Sequence, residues 1–526
     1  MQDSVNPGFL DECEREALHR IDAIQPFGAL LGGRAGDPTV RCASANLADW
    51  SGIEAESVLG LPVTSLAPWL AADKAQELAD AVTGGGHALA PDASESKLLL
   101  AGLCGGPRGR LDGVLARGPE SWLLEVQPAL PPSLRRQAEQ PVPHALYRMP
   151  HAPDEWSALC ELLTEQLSAA SGFERVMVYR FDADGSGEVI AESLAEGLPP
   201  YLGLRYPASD IPRIARTLYL RNRHRQIPDA EAAPVPVLYH GKDQPDLTLS
   251  DLRAVSPVHV QYLRNMGVVA SLSFPVVLND GLWGLIACHH SSPLVLPVPL
   301  RERCADMVQV FTLGVAGYRT TQRLAVLGRS DRAIARLIQD IGALRDTDQP
   351  GQRMQYALLD LAGATGAALV ESDPFRRGAE EIVTFGATPD ERQIRAQLDW
   401  LLTETADPVL ATDRLPSLLP DARAYADVAS GLLAVRVGRF TDGVGRERVF
   451  LWWRPEQPHT VRWAGDPRKS ALFAGQSDTL SPRSSFTAWV QTTSGQSEPW
   501  TDLDLLNAKK FRSQVLRDIN ANLLRE

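Results

Sequence analysis

The sequence predicts an α+β protein built from several successive domains. Its 526 residues exceed what one hydrophobic core normally serves, so three or four domains are expected. Short apolar runs bounded by Gly and Pro indicate strands in the first part of the chain. From about Leu300 the apolar residues follow a helical period instead. The hydrophobic fraction of 44% is that of an ordinary globular protein.

The first domain is expected at residues 21–130, after an N-terminal extension of residues 1–20. Apolar runs at 29–31 and 122–126 alternate with turn residues, which predicts strands there. A proline-rich, charged stretch at 131–143 is interpreted as a linker.

The second domain, at residues 140–320, is again predicted to be mixed. Residues 176–181 and 282–288 are predicted strands, while residues 210–225 and 256–266 are predicted to be helical or mixed connections.

A long connecting helix is predicted beyond this domain. Its apolar residues follow the alternating three-and-four spacing of a helical seam: Leu327, Ile334, Leu337, Ile341 and Leu344. Two interpretations stay open, namely packing of the seam against its own domain and a helical dimer interface.

The third domain is expected at residues 325–510. It contains a predicted strand at 447–453 and a long Gly/Pro-rich excursion within residues 445–490. Long structured loops are more often functional than idle. A further helix is predicted at 504–526, with apolar residues on one face.

Composition excludes some classes of function. A net charge of −13 argues against nucleic acid as the main partner, because phosphate binding needs clustered positive charge. Polar residues and Pro275 interrupt the longest apolar stretch, at 267–278, so it cannot span a bilayer. No signal region opens the chain, and its six cysteines form no CxxC pair, so a cytoplasmic location is expected.

Residues 205–225 concentrate positive charge in this acidic chain. Asp210 is the single acid among six arginines: Arg205, Arg213, Arg216, Arg221, Arg223 and Arg225. About half of these arginines are expected to be solvated. Guanidinium groups also pair bidentately with carboxylates. The segment therefore predicts a buried, dianionic ligand.

Cys13 stands alone in the segment Asp-Glu-Cys-Glu-Arg-Glu, before the first predicted domain. These surroundings are too charged for the burial that is usual for a lone cysteine. The acidic neighbours also disfavour the reactive thiolate. Attachment to a ligand held elsewhere is therefore favoured over a catalytic thiol.

The run Cys288-His289-His290 raises the question of a metal site. Adjacent side chains on a strand point to opposite faces, so His289 and His290 cannot approach one ion together. Zinc needs three or four converging ligands, and the sequence contains no second Cys/His cluster. No metal site is predicted, and His290 is interpreted as a satisfied core histidine.

Asp210 is also a candidate helix cap. Ser209 and Asp210 precede Ile211 and Pro212, and a small polar residue followed by proline is typical of a helix start. Capping of the helix that follows is therefore one interpretation of Ser209 or Asp210, and it is compatible with a second role for Asp210 at a ligand.

Residues 207–212 (PASDIP) match the core signature of phytochromes letter for letter. A second long match covers residues 253–267 (RAVSPVHVQYLRNMG). The chain thus resembles the photosensory module of bacteriophytochromes. The resemblance implies three successive α/β sandwich-type domains, PAS, GAF and PHY, joined by long helices, with a hairpin tongue from PHY. It also implies a figure-of-eight knot at the PAS/GAF junction, since residues 24–28 (IQPFG) are similar to the knot-forming segment.

The resemblance implies biliverdin IXα as a cofactor, bound by a thioether to Cys13. Plant and cyanobacterial phytochromes attach their bilin through a cysteine immediately before the histidine that His259 matches. That position is Val258 here, which cannot form a thioether. Attachment is therefore expected at Cys13, and biliverdin is expected rather than a reduced bilin.

The resemblance also assigns residues to the ligand. Arg225 and Arg253 would hold one propionate, and Ser271, Ser273 and His259 the other. His289 would bond the ring D carbonyl, and the main-chain carbonyl of Asp210 would face the pyrrole NH groups. Further residues complete the expected cofactor-binding set, the first four around ring D: Met177, Tyr179, Tyr206, Tyr262, Ile211, Pro212, Tyr219 and Ser256.

Two patterns in the third domain resemble the phytochrome tongue, which reaches back to seal the bilin pocket. They are residues 463–465 (WAG) and 482–486 (PRSSF). By resemblance, Arg483 would pair with the carboxylate of Asp210 in the red-absorbing state, and Ser485 would replace it after photoconversion.

The implied function is red/far-red light sensing by reversible conversion between the Pr and Pfr states. Light would isomerise the C15=C16 bond and rotate ring D, and the tongue and long helices would relay the change. A homodimer through those helices is expected, with an unknown output partner and neither nucleic acid nor membrane as partner. No enzyme activity is expected, because no histidine follows His459 and no Gly-rich nucleotide loop is present; an output module would lie outside this chain.

Three alternatives remain open at this point. A non-covalent sensor of another small ligand is possible on GAF and PAS folds, but Cys13 and the arginine pair argue against it. A thiol enzyme lacks a paired general base in the sequence. A complete sensor kinase lacks its nucleotide loop.

Overall fold

The computed structural model describes residues 18–71, 74–83, 95–241, 244–279, 281–343, 352–372, 381–404, 407–439, 447–466 and 486–523. These residues form two compact units. One holds the described chain up to Tyr318 together with Arg462–Trp489, and the other holds Arg319–Val461 and the described chain from Val490. Both helices and sheets are present, which confirms the predicted α+β class.

The N-terminal part carries short strands and helices. The strands are β1 (Ala23–Ile24), β2 (Ala29–Arg34), β3 (Cys42–Ser44), β4 (Ser96–Gly106), β5 (Gly109–Arg117) and β6 (Ser121–Pro128). The helices are α1 (Leu47–Ser51), α2 (Ala55–Val58), α3 (Lys74–Thr83) and α4 (Arg135–Ala138). The strands predicted at 29–31 and 122–126 are confirmed as parts of β2 and β6.

The middle part has longer elements. Its strands are β7 (Arg175–Phe181), β8 (Gly187–Leu194), β9 (Arg205–Tyr206), β10 (Arg225–Ile227), β11 (Val235–Tyr239), β12 (Ala270–Leu278) and β13 (Gly281–His290). Its helices are α5 (Pro153–Ser171), α6 (Arg213–Arg221), α7 (Pro257–Asn265) and α8 (Val298–Ala343). The predicted strands at 176–181 and 282–288 and the predicted long helix are confirmed by β7, β13 and α8.

The C-terminal part completes the described elements. Its strands are β14 (Gly366–Ser372), β15 (Glu381–Gly386), β16 (Val409–Thr412), β17 (Gly431–Arg439), β18 (Glu447–Arg454), β19 (His459–Ala464) and β20 (Ala488–Thr493). Its helices are α9 (Gln352–Ala362), α10 (Glu391–Glu404), α11 (Leu415–Leu418) and α12 (Asp502–Leu523). The predicted strand at 447–453 is confirmed by β18, and the predicted C-terminal helix by α12.

The first sheet takes in a strand from far downstream. Its order is β1-β11-β3-β2-β6-β5-β4, so β11 lies between two N-terminal strands. The Gln25 side chain strengthens this link, since its Nε2 donates to the carbonyls of Gln226 at 3.0 Å and Arg253 at 3.2 Å. The segment similar to the knot-forming sequence is thus bound to the downstream chain, while the knot itself stays a prediction.

The second sheet has two chemically different faces. Its order is β10-β12-β13-β7-β8-β9-β19-β20. Successive side chains of a strand face opposite sides. Residues of one parity pack into a hydrophobic core with α5 and α8: Val176, Val178, Leu272, Phe274, Ile286 and Cys288. Residues of the other parity line a cavity: Met177, Tyr179, Ser271, Ser273, Ala287 and His289.

The third sheet, of order β15-β14-β18-β17-β16, packs apolar side chains on both faces. Ile334 and Leu337 of α8 are fully buried in one of these cores, together with Phe511 of α12. For these two seam residues the structure supports packing within their own domain. The side chains of Leu327, Ile341 and Leu344 lie outside those that the structure describes.

The long excursion of the third domain begins after β18, because β18 pairs with both β14 and β17 inside the third sheet.

None of the helices in the described ranges has both the length and the apolar character needed to cross a membrane.

Candidate ligand-binding site

A cavity of about 250 Å³ lies on the polar face of the second sheet. Its wall includes every described member of the predicted cofactor-binding set: Met177, Tyr179, Tyr206, Asp210, Ile211, Pro212, Tyr219, Arg225, Arg253, Ser256, His259, Tyr262, Ser271, Ser273 and His289. Cys13, Arg483 and Ser485 lie outside the described residues. The structure therefore brings together side chains from seven separate segments of the chain.

Two arginines, Arg253 buried and Arg225 half-buried, form one wall of the cavity. Arg225 is opposite Ser273 in the β10–β12 register, and its Nη1 and Nη2 donate to the carbonyls of Asp251 at 3.2 Å and Ala254 at 3.1 Å. Arg253 Nη1 donates to the carbonyl of Thr248 at 3.1 Å. Neither guanidinium forms an ion pair with a carboxylate in the described part of the chain. Burial and the nearby charge of Arg225 lower the pKa of Arg253 to about 9, so an anionic ligand would relieve a real electrostatic cost.

Two neutral imidazoles face the same space. Burial, together with the charge of Arg225, lowers the pKa of His259 to about 4. Burial, Arg175 and His259 lower the pKa of His289 to about 3. His289 Nδ1 is buried and has no hydrogen-bond partner among the described residues. Because buried polar atoms are normally paired, this nitrogen marks a position for a polar ligand group.

Aromatic side chains enclose the end of the cavity next to β7. The rings of Tyr179 and Tyr206 meet edge to face at 5.8 Å. Gly187 in β8 makes this possible, since a Cβ there would lie 2.1 Å from Tyr179 Cζ. The ring of Tyr262 stacks on His259 at 6.0 Å and meets Phe486 edge to face at 5.0 Å.

Asp210 ends a single 3-10 turn, Ala208–Asp210, at the edge of the cavity. Its Oδ2 accepts a hydrogen bond from Tyr262 Oη at 2.8 Å. The predicted helix cap is wrong, because α6 begins after Pro212 without any side-chain cap. The physical reason is the extended conformation of Ile211, with φ −130° and ψ 87°, which turns the chain between Asp210 and the helix.

The two adjacent histidines of β13 lie on opposite sides, as predicted. His289 lines the cavity, whereas His290 Nδ1 is 2.9 Å from the carbonyl oxygen of Ser292. His290 is therefore satisfied, but it is half-buried rather than part of the core. Within the described ranges, no group of three or more His, Cys, Asp or Glu side chains could hold a metal ion.

The strands that flank residues 467–485 extend the second sheet. Trp463 of β19 pairs in parallel with Arg205 of β9, and the amide of Gly465 donates to the carbonyl of Thr487 at 3.0 Å. Ala464 and Phe486 join the aromatic cluster around Tyr179 and Tyr206. Both ends of the segment that resembles the tongue are thus beside the cavity.

Sequence reasoning missed a buried charge cluster behind the arginine pair. Asp251 Oδ1 accepts from Lys97 Nζ at 2.7 Å, and Asp251 Oδ2 is 3.7 Å from Arg301 Nη2. Glu125 accepts from the Ser250 hydroxyl at 2.6 Å, and burial and the charge of Asp251 raise the pKa of Glu125. These partners are far apart in sequence, so no local pattern could reveal them.

Apolar wall residues were missed as well: Leu18, Val189, Ala215, Leu218, Met266 and Leu285. A signal did exist for Ala215 and Leu218, because they share a helical face with Tyr219 at three- and four-residue spacing.

Comparison with known proteins places these features in one family. Family models match the chain in order: PAS fold over residues 13–94, GAF domain over 155–316 and phytochrome region over 330–523. The bacteriophytochrome of Xanthomonas campestris pv. campestris is 32% identical, over 97% of this chain and 79% of that protein. The bacteriophytochrome of Pseudomonas aeruginosa is 32% identical, over 98% of this chain and 67% of that protein. The chain spans 66% of cyanobacterial phytochrome B of Nostoc, at 32% identity.

Solved structures agree with this assignment. A bacteriophytochrome from the photosynthetic bacterium R. palustris has a TM-score of 0.77 and 31% identity, with 97% of this chain and 99% of that chain covered. The Stigmatella aurantiaca phytochrome photosensory core module also has a TM-score of 0.77, at 29% identity and 98% coverage of both chains. The chain therefore belongs to the phytochrome family, with the PAS, GAF and PHY regions of a bacteriophytochrome photosensory core.

Proposed function

We propose that this chain is a red/far-red photoreceptor that binds biliverdin IXα in the cavity, attached by a thioether to Cys13, and converts reversibly between Pr and Pfr. The observation that carries the proposal is the pair Arg225 and Arg253, a half-buried and a buried cation on the cavity wall, neither with a carboxylate partner in the described chain. A bilin brings two propionates, and bidentate guanidinium–carboxylate contacts are strong and directional.

The other residues present also fit a bilin. Ser273 offers a hydroxyl group opposite Arg225, Ser271 lies next along the same face, and His289, opposite Ser271 on the neighbouring strand, offers an unpaired Nδ1. Tyr179 and Tyr206 supply an apolar, edge-to-face enclosure for a flat ring. When bound, the bilin supplies light absorption and a C15=C16 bond that light can isomerise.

The protein can reach the ligand with Cys13. Leu18 lies on the cavity wall, five positions after Cys13. Five extended residues span up to about 17 Å, enough to bring the thiol to the cavity. The described cysteines are poorer candidates because all are buried, and burial raises the pKa of Cys42, Cys160 and Cys304 to about 12.

The signal route begins at Asp210. Tyr262 donates to its carboxylate and contacts Phe486, next to the segment that resembles the tongue. A change of hydrogen bonding at Tyr262 would therefore reach both Asp210 and the base of that segment, where Arg483 and Ser485 would exchange as partners. Such a segment would be the bistable element that passes the change to the long helices.

We propose in addition that the chain acts in the cytoplasm as a homodimer and has no enzyme activity of its own, with its output carried by another module or protein. Leu313 and Leu324 on α8 are each 64% exposed and offer apolar surface for a partner helix.

The test is pigment assembly. Biliverdin is added to the purified protein, and spectra are recorded after red and after far-red light, with Cys13→Ser and Cys104→Ser variants alongside. Reversible red and far-red bands are expected in the parent, with covalent pigment after denaturation in the parent and Cys104→Ser but not in Cys13→Ser. Pigment lost on denaturation from every variant would instead favour a non-covalent small-ligand sensor, and absence of any visible band would refute the photoreceptor.

A further inference from the structure

Arg216 holds the main chain on both sides of Asp210. Its Nε donates to the carbonyl of Ile211 at 2.8 Å, and its Nη2 to the carbonyl of Ala208 at 3.3 Å. The same Nη2 donates to the carbonyl of Gly185 at 2.6 Å, in the turn between β7 and β8. One guanidinium thus ties the turn that carries Asp210 to a neighbouring hairpin.

The environment of Arg216 sets it apart from other arginines of the same segment. Arg221 pairs with Glu95, and Arg223 pairs with Glu302 and Asp306, all near the surface. Arg216 has no carboxylate partner in the described chain; its guanidinium carbon lies 4.4 Å from the ring centre of Phe181. Burial lowers the pKa of Arg216. A charged group held over an aromatic face, with its donors on carbonyl oxygens, is suited to fixing a backbone.

The Asp210 segment needs such a contact. Asp210 ends a single 3-10 turn, Ile211 leaves that turn with φ −130° and ψ 87°, and no side chain caps α6. Within the turn, the Asp210 amide donates to the Pro207 carbonyl at 3.1 Å. Arg216 adds contacts before and after Asp210, which leaves the intervening peptide little freedom.

We propose that Arg216 is a positioning residue for the bound ligand, fixing the main-chain carbonyl of Asp210 toward the cavity and coupling it to the β7–β8 hairpin. The inference rests on the proposed function, in which that carbonyl accepts from the pyrrole NH groups. An accepting carbonyl favours the protonated form of the groups that donate to it. Displacement of the carbonyl should therefore weaken proton binding by the pigment.

The chemistry of the side chain allows a sharp test. Lysine keeps the charge, but its single ammonium cannot present the planar fork that spans Ile211 and Gly185. If the geometry of the guanidinium contacts matters, Arg216→Lys and Arg216→Gln should therefore weaken proton binding by the pigment to the same extent. If only the charge matters, Arg216→Lys should match the parent. Arg221→Gln is the matched control, since it removes an arginine from the same helix without touching the turn.

A substitution at Gly185, in the β7–β8 turn, disturbs the same contact without changing Arg216. Gly185 has a φ of +83°, and a Cβ there would lie 3.2 Å from Ala208 Cβ and 3.4 Å from Arg216 Nη1. Gly185→Ala therefore presses on the same contact while Arg216 stays in place.

The experiment uses the full chain loaded with biliverdin. The red absorbance is titrated with pH, and thermal unfolding is followed in parallel. Arg216→Lys, Arg216→Gln and Gly185→Ala are each expected to weaken proton binding by the pigment about tenfold, a fall of about one unit in its apparent pKa, whereas Arg221→Gln matches the parent. Failure of both Arg216 variants to bind pigment, with unfolding as in the parent, would also support positioning.

The contrary outcomes are distinct. A parent that forms no visible band refutes the proposed function. A parent that forms the band, with Arg216 variants titrating as the parent does, overturns only the role of Arg216. If both Arg216 variants unfold, the Gly185→Ala variant is decisive. An apparent pigment pKa equal to that of the parent overturns the inference, and a lower apparent pigment pKa supports it.

Discussion

The hydroxyl of Tyr262 donates a hydrogen bond to the carboxylate of Asp210 at 2.8 Å, and both residues line the cavity. Tyr262 belongs to α7, whereas Asp210 ends a turn that comes well before it in the chain. The bond therefore links the ligand cavity to the segment proposed to receive the tongue. A movement of Tyr262 would change the hydrogen bonding of Asp210, and a movement of Asp210 would change that of Tyr262.

Removal of this bond should alter photoconversion more than it alters folding. Tyr262→Phe deletes one hydrogen bond to a charged group, at a cost of about 2 kcal/mol in the free energy of unfolding. Tyr239→Phe is the control, because Tyr239 Oη also donates to an aspartate, Asp22 at 2.6 Å, outside the cavity. We expect similar losses of thermal stability in both variants, but a changed rate of red-to-far-red conversion in Tyr262→Phe alone. Equal conversion rates in the two variants would contradict a signal route through the Tyr262–Asp210 hydrogen bond.

The arginine pair should select for ligand carboxylates. We expect Arg253→Gln to weaken binding of free biliverdin about ten- to a hundredfold, because it removes a charge-assisted contact worth about 1.5–3 kcal/mol. Biliverdin dimethyl ester carries no propionate charge and should bind the parent and the variant alike. Equilibrium titrations in a Cys13→Ser background measure both ligands, with Arg221→Gln as control. A loss of the same size for the ester would show that Arg253 acts by packing rather than by charge.

The pigment-free protein should lose stability in mild acid. In the folded chain the pKa of His259 is about 4 and that of His289 about 3, against about 6.5 for an unfolded histidine. Between these values the unfolded chain binds more protons, so the free energy of unfolding falls as the pH drops below about 6.5. His289, which is half-buried, contributes a slope of up to about 1.4 kcal/mol per pH unit, whereas solvent screening reduces the contribution of His259, which is exposed in the pigment-free protein.

This pH dependence is measured by denaturant unfolding between about pH 7 and about pH 5. His289→Gln should flatten the slope by up to about one proton. His290→Gln is the matched control, since His290 is half-buried and bonded to Ser292. An unchanged slope in His289→Gln would show that the pKa of His289 is not lowered in the folded protein.

The exposed leucines of α8 should hold a homodimer together. Leu313→Glu combined with Leu324→Glu places charge on both, and we expect it to convert a dimer into monomers in light scattering after size exclusion. Tyr356→Glu is the control because Tyr356 is 71% exposed but lies on α9. A monomeric parent, or a double variant that stays dimeric, would show that these leucines of α8 do not hold a dimer together.

Much of the local structure could be predicted from the sequence. Strands β7 and β13 were expected from short apolar runs, and the opposite orientation of His289 and His290 followed from strand geometry alone. The cofactor-binding set was assembled from matched motifs, and the structure places its described members on one cavity wall. The predictions of strands and side-chain faces succeed because backbone periodicity depends on neighbouring residues, whereas the roles of the cofactor-binding set stay predictions.

The hydrogen-bond and packing partners of individual side chains could not be predicted in the same way. Asp210 is placed to bind Tyr262 instead of capping α6, and Arg216 takes main-chain carbonyls instead of solvent or a carboxylate. Likewise, Ile334 and Leu337 fit two interpretations until the core around Phe511 shows which surface they bury.

By itself, then, the sequence determined the family signature, the faces of the strands and the inventory of charges near residues 205–225. Only the tertiary structure decided which of those charges meet each other, which meet carbonyls, and which face the cavity. The physical reason is that backbone periodicity is a local property, whereas the energy of a buried charge depends on groups brought near it by folding from distant parts of the chain.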